Sequence, residues 1–135
     1  MNPVSDLSVL LKTLEPALNP GVFVFALVKN GHAIDPAVIV ASIREPEGLS
    51  VIMSETDAAI SGLNPLFKCA WITLTVNSAL EAVGLTAAFA TALGRSGISC
   101  NVVAGAYHDH IFVPLESAQT AMRVLQQLQK DGGIA

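Results

Sequence analysis

Charge is scarce in this chain. Of its 135 residues, 13% are Asp, Glu, Lys or Arg, about half the ~25% usual for soluble domains. Seven basic residues stand against eleven acidic ones, a formal net charge of −4, and the basic ones form no run. Nucleic acid and anionic membranes are held by clustered positive charge, so neither is expected as a partner. Cysteine is also sparse. Cys69 and Cys100 are the two present, with no C-x-x-C spacing. That usage fits a reducing cytoplasm, while one disulfide stays open on the sequence. Long apolar runs are missing too: Val22 to Val28 is the longest, far short of the ~20 residues that span a bilayer. Met1 to Asp6 has neither a basic stretch nor a signal-like apolar core, so the expected location is cytoplasmic. No G-x-S-x-G elbow and no G-x-x-x-x-G-K-[ST] phosphate loop occurs, and neither cysteine is flanked by charges that would clearly lower its pKa. A non-enzyme without a cofactor is therefore expected.

Apolar residues fill the space that charge leaves, at 52% of the chain. High apolarity with little charge excludes intrinsic disorder. The length suits one domain or two very small ones. Small domains bury a smaller share of their surface, so part of the apolar excess is expected to face another subunit, as in a homodimer.

Leu7, Leu10, Leu11 and Leu14 follow the i, i+3, i+4, i+7 spacing of an amphipathic helix, with Ser5 as its cap and Pro16 as its stop. Asn19-Pro20-Gly21 is a turn, and Val22 to Val28 reads as a buried strand. Val38 to Ile43 and Leu49 to Met53 are further strands, separated by the charged knot Arg44, Glu45 and Glu47. An ion pair across that turn is the expectation there, with Arg44 as a carboxylate fork the alternative. Ser54, three residues before Asp57, caps a short helix. Gly62, Asn64 and Pro65 then mark a boundary between halves, 1–64 and 65–135.

The second half is more regular. Ile72, Leu74 and Val76 alternate with Thr73 and Thr75, the period of a half-buried strand. A helix with Leu85, Phe89, Ala92 and Leu93 on one side follows and ends before Gly97. Strands at Ser99 to Ala104 and His110 to Val113, joined through Gly105 to Asp109, lead to a last helix along Ala118, Ala121, Met122, Leu125 and Leu128. The order β-α-β-β-α is five of the six elements of a ferredoxin-like unit. The missing edge strand has to come from the first half or from another subunit. The first half reads α-β-β-β-α.

The run Gly84-Leu85-Thr86-Ala87-Ala88-Phe89 through Leu93 to Gly97-Ile98 resembles an ACT domain. Together with Arg44-Glu45, Glu47-Gly48-Leu49, Cys100 to Gly105 and His108 to Pro114, it is similar to a family of small bacterial stand-alone ACT-domain proteins. The resemblance covers nearly the whole chain. It implies an α+β, ferredoxin-like antiparallel sheet with helices on one face, built as two ACT-like halves. It also implies a regulatory module that binds an amino acid or similar small ligand near the strand-to-helix glycine, with a client enzyme or regulator as a further partner. The alternative is a homo-oligomeric interaction module without a ligand.

An amino acid needs N–H donors for its carboxylate and acceptors for its ammonium. A loop opening a helix supplies the donors. Asn77, Ser78, Gly84, Leu85 and Thr86 are the candidates there. Ser78 and Thr86 read equally as helix caps and Gly84 as a packing glycine. Asn101 and Gly105 are expected on the strand facing that loop, with Asn101 a buried amide needing a partner. Asp109 is a turn residue or an acceptor for an ammonium, and Glu81 a surface residue or a second such acceptor. His108 and His110 share a face if extended and could hold zinc with Cys100, but no further ligand pair has metal spacing, so no metal is expected. His32 reads as a solvated turn residue.

Overall fold

The structure, a computed structural model, describes residues 7–75 and 84–132. Helix α1 (Leu7–Thr13) leads into strand β1 (Glu15–Leu18) and then β2 (Phe23–Val28). A 3-10 turn at Pro36–Val38 precedes β3 (Ile39–Glu45), β4 (Gly48–Ser54) and α2 (Glu55–Ile60). The second half runs β5 (Phe67–Thr75), α3 (Leu85–Arg95), β6 (Asn101–Ala104), β7 (His108–Pro114) and α4 (Ala118–Asp131). Ser5 and Val76, to which a cap and a strand position were assigned, lie outside the described residues.

The helices form where the apolar spacing puts them. Leu85, Phe89 and Leu93 of α3 are buried at 4% exposure or less. Ser54 Oγ accepts the Asp57 N–H at 3.1 Å, capping α2 as its spacing predicts. Strand β1 carried no such signal. It has four residues, one of them Pro16, and alternates exposed with half-buried. Proline lacks the N–H for a ladder, so a strand containing it belongs at an edge. β1 pairs with β5 alone, Glu15 opposite Thr75 through Leu18 opposite Ile72.

The strands form one antiparallel sheet in the order β3-β4-β2-β5-β7-β6. β1 and β2 lie in succession along the same edge of β5. β2 takes its first part, with Phe23 opposite Cys69 and Phe25 opposite Phe67. β1 takes its last part. β5 thus closes the ladder of the first half and also provides the central strand of the second. β1 supplies the edge strand that the β-α-β-β-α order of the second half lacks, so that strand comes from the first half.

Successive residues of β5 face opposite sides. Ala70, Ile72 and Leu74 pack under α1, α3 and α4 with Leu10, Leu11, Leu14, Phe89, Ile111, Val113 and Leu125. Val24, Ala26, Val28, Val51 and Met53 lie under α2 with Ala58. All four helices therefore cover one face. The other face carries Phe23, Phe25, Phe67, Trp71 and Phe112, five of the chain's seven aromatic residues. No helix among the described residues covers it, yet Phe112 is fully buried. The sheet achieves this by curling. Residues of β3 and β6, at opposite ends of the strand order, line one pocket over that face.

Arg44, Glu45 and Glu47 do not form the expected ion pair. β3 runs on to Glu45, and Glu45 accepts instead from the Ser50 hydroxyl across the hairpin. Among the described residues the ion pair found is Lys68–Glu55 at 2.7 Å.

Two outcomes follow from this packing. Phe89→Ala should cost ~3–5 kcal/mol in chemical denaturation, since the ring is fully enclosed. Fragments 1–64 and 65–135, expressed apart, should each lack a cooperative thermal transition by circular dichroism. The first loses β5, and the second loses β1 and the α1 leucines. Two separately folding fragments would show that the shared strand is dispensable.

Candidate functional site

On the helix-covered side, α3 begins at Gly84, which sits at φ +98° and provides no side-chain cap. That conformation is open to glycine and strained for other residues. The Ala88 N–H reaches the Gly84 carbonyl at 2.9 Å, closing the first helical turn. The amides of Leu85, Thr86 and Ala87 precede it and have no acceptor within the helix. They stand at the positive end of the helix dipole, where a carboxylate is stabilised. A Cβ at Gly84 would come within 3.2 Å of Leu7 Cδ2, so α1 closes one side of this end. From here a groove of about 640 Å³ runs between α1, α3 and α4, walled by Leu7, Leu11, Ala88, Val124 and Leu128. Arg95 lines it at the other end of α3.

The sequence-predicted residues distribute over both faces. Gly84 and Thr86 are at the start of α3, and Thr86 is exposed. Thr86 is the second helical residue, after the Gly84 cap, so it is not a cap itself. Leu85 turns its side chain into the core, at 4% exposure, leaving its backbone amide for the groove end. Asn77, Ser78 and Glu81 lie outside the described residues. Asp109 is not in a turn: β7 starts at His108, and Asp109 pairs with Leu74. Leu74 belongs to the core under the helices, so Asp109 extends that face. Its carboxyl is pushed up from the usual 3.8 by burial, with the His110 charge acting in the opposite sense.

Asn101 corrects the sequence reading twice. It is exposed rather than buried. Its register partner is Phe112, which belongs to the aromatic face, so Asn101 lies across the sheet from Gly84. Burial and register are set by sheet neighbours that are distant in sequence, and no local pattern around Asn101 reports them.

The aromatic face holds a polar network that sequence reasoning missed. Trp71 Nε1–H donates to His110 Nδ1 at 3.0 Å. Thr73 Oγ1 lies 3.3 Å from the same nitrogen. Asn19 Nδ2 donates to Thr73 Oγ1 at 2.9 Å and to the Trp71 carbonyl at 3.2 Å. The network ties the turn after β1 to β5 and β7. An indole N–H can only donate, so His110 Nδ1 must be the lone-pair nitrogen and the ring proton sits on Nε2. Burial depresses the His110 pKa, the His108 charge adds to this, and Asp109 opposes it.

His108 and His110 converge as their spacing predicts, with ring centroids 6.4 Å apart. A metal on His110 Nε2 would have to displace its proton while Nδ1 stays engaged by Trp71. Among the described residues no group of three His, Cys, Asp or Glu side chains could hold an ion. Both cysteines are free, and burial pushes both thiols up to about 11, away from thiolate chemistry. His32 is exposed, with Nε2 2.8 Å from the Ser61 carbonyl. No helix among the described residues is long and apolar enough to cross a membrane.

Two family models, each described as an ACT domain, match the chain in tandem, over residues 2–70 and 66–127. They overlap at the start of β5. A Vibrio cholerae protein of unknown function, described as a possible transport protein, is 44% identical, with a TM-score of 0.82 over 93% of this chain and 97% of that one. An Agrobacterium tumefaciens protein is 17% identical, with a TM-score of 0.62 over 86% and 89%. The ligand-free regulatory subunit of aspartate kinase from Thermus thermophilus is 13% identical, with a TM-score of 0.63 over 84% and 95%. The last two are likenesses of fold. No curated protein matches the sequence.

The depressed His110 pKa sets a pH dependence. The folded state favours the neutral ring below the ordinary value of 6.5, so the stability it contributes is present above pH 6.5 and is lost as pH falls toward the folded value. His110→Asn keeps an acceptor near the Nδ1 position without the titration. Denaturation midpoints of the wild type should fall relative to the variant between pH 7.5 and 5. Parallel curves would remove His110 as the titrating group.

Proposed function

The chain belongs to the ACT-domain family, and on that premise we propose that it is a non-catalytic regulatory module that binds an amino acid at the start of α3. The observation that carries this reading is the start of α3 at Gly84, which no side chain among the described residues caps and from which the groove runs. The amides of Leu85, Thr86 and Ala87 receive the ligand carboxylate. The Asp109 carboxyl makes no hydrogen bond or ion pair with the described residues, and on the same face as the helix end it accepts from the ammonium. Asn77 and Ser78 complete the loop in this reading. The apolar walls take the ligand side chain. Asn101, on the other face, has no part in this first site.

The two ACT-like halves, 1–64 and 65–135, act as one unit in this proposal, because β5 joins their ladders. Ligand binding signals through assembly as a homodimer or through contact with a client enzyme. One fold neighbour is a regulatory subunit of a kinase, which supports regulation of a separate chain. The second reading is a homo-oligomeric interaction module without a ligand. Exposed Ile43, Leu66 and Tyr107, at 64%, 72% and 84%, favour it.

A thermal-shift screen of the untagged protein against all proteinogenic amino acids at millimolar concentration tests the first reading. A specific ligand at ~100 times its dissociation constant should add ~2.7 kcal/mol. Gly84→Val should abolish that response, because a β-branched residue is strained at φ +98° and meets Leu7. Retained binding in Gly84→Val would move the site elsewhere. A flat screen on a stable oligomer, seen by sedimentation, would favour the interaction module.

A further inference from the structure

The curl of the sheet creates a second pocket, on the face that the helices do not cover. Register defines its walls. Ala41, Ile52 and Phe25 form one row across β3, β4 and β2. Asn101, Phe112 and Trp71 form another across β6, β7 and β5. Paired residues of an antiparallel ladder point to the same face. The outer ends of the two rows, Ala41 and Asn101, line one pocket of about 250 Å³.

Its chemistry differs from that of the α3 end. Phe25, Ile52, Ala41 and Val103 supply apolar walls. The polar side chains on this face are those of Ser50 and Asn101. Ser50 already donates to Glu45. The Asn101 amide makes no hydrogen bond with the described residues, so it offers a donor and an acceptor at the mouth. No charged side chain lines the pocket. An ion entering it would lose hydration without a counter-charge, which is costly. A neutral molecule with one hydrogen-bonding head would lose much less.

The wall also favours a ring. Phe25 packs edge-on against Phe67 at 5.6 Å and against Phe112 at 5.8 Å. Phe112 in turn contacts Trp71. An aromatic ligand beside Phe25 extends this edge-to-face series, a geometry such pairs prefer. We propose that the β3–β6 pocket is a second ligand site, separate from the α3 end, which takes a small neutral aromatic molecule bearing an amide or hydroxyl group.

Benzamide and benzoate, equal in shape and different in charge, are the probes. Each is titrated into the ¹⁵N-labelled full chain. Benzamide should shift the amides of residues 41–43, 50–52 and 101–103 in a saturable way, and benzoate should bind at least tenfold more weakly. Ala41→Phe should fill the pocket and remove binding. Asn101→Leu, a change at an exposed position, should weaken benzamide about tenfold and keep the fold even where the filling variant does not. Equal affinity for the two probes would overturn the proposal. So would shifts confined to residues 84–91, affinity unchanged in Asn101→Leu, or no saturable shift at all.

Discussion

Strand β5 carries hydrogen-bonding duties for both halves of this chain. Its first residues pair with β2 and its last with β1, while its other edge pairs with β7 from Cys69 to Thr75. Because its side chains alternate, it also contributes to both faces. Ala70, Ile72 and Leu74 lie under the helices, and Cys69, Trp71 and Phe67 lie on the aromatic face. The single tryptophan is on this strand and ties it through His110 to β7. The two family models overlap at its start. A strand in this position couples two small ACT-like halves that would each be marginal alone at this size.

The same arrangement separates two kinds of surface. On the helix side, the start of α3 carries backbone amides and the positive end of a helix dipole, suited to an anionic group. On the opposite side, curling brings β3 toward β6 and encloses aromatic rings with no covering helix among the described residues. In the two proposals, the first surface takes a charged, amino-acid-like ligand and the second a neutral one. Each follows from which face of β5 lies beneath it.

Much of the fold was legible because it rests on local periodicity. The leucines of α1, the alternation around Ile72 and Leu74, and the stripe of α3 each state their own element. The family resemblance then fixed the order of these elements as an ACT fold. β1 was not legible: four residues with a proline carry no strand signal, and the ladder with β5 alone defines them. The site was only partly legible. Gly84 marks the start of α3, but that Leu85 points into the core depends on helix phase against β5. Asn101 looked like a buried amide because its sequence neighbours are apolar; its face is decided by pairing with Phe112. Asp109 looked like a turn residue because Gly105 and Tyr107 precede it, yet the hairpin is tighter and the strand begins at His108. The Trp71–His110 bond joins residues 39 apart in sequence, beyond any local pattern.

Native-state amide exchange tests the central role of β5 most directly. Slow amides in β2 and β4 of the first half, and in β7 of the second, should open with the same free energy as those of β5. That common value should equal the global stability from denaturant unfolding, as for one cooperative unit. If β2 and β4 exchanged through a separate opening of lower energy while β5 and β7 stayed protected, the halves would be independent. The account of a shared strand would then be wrong.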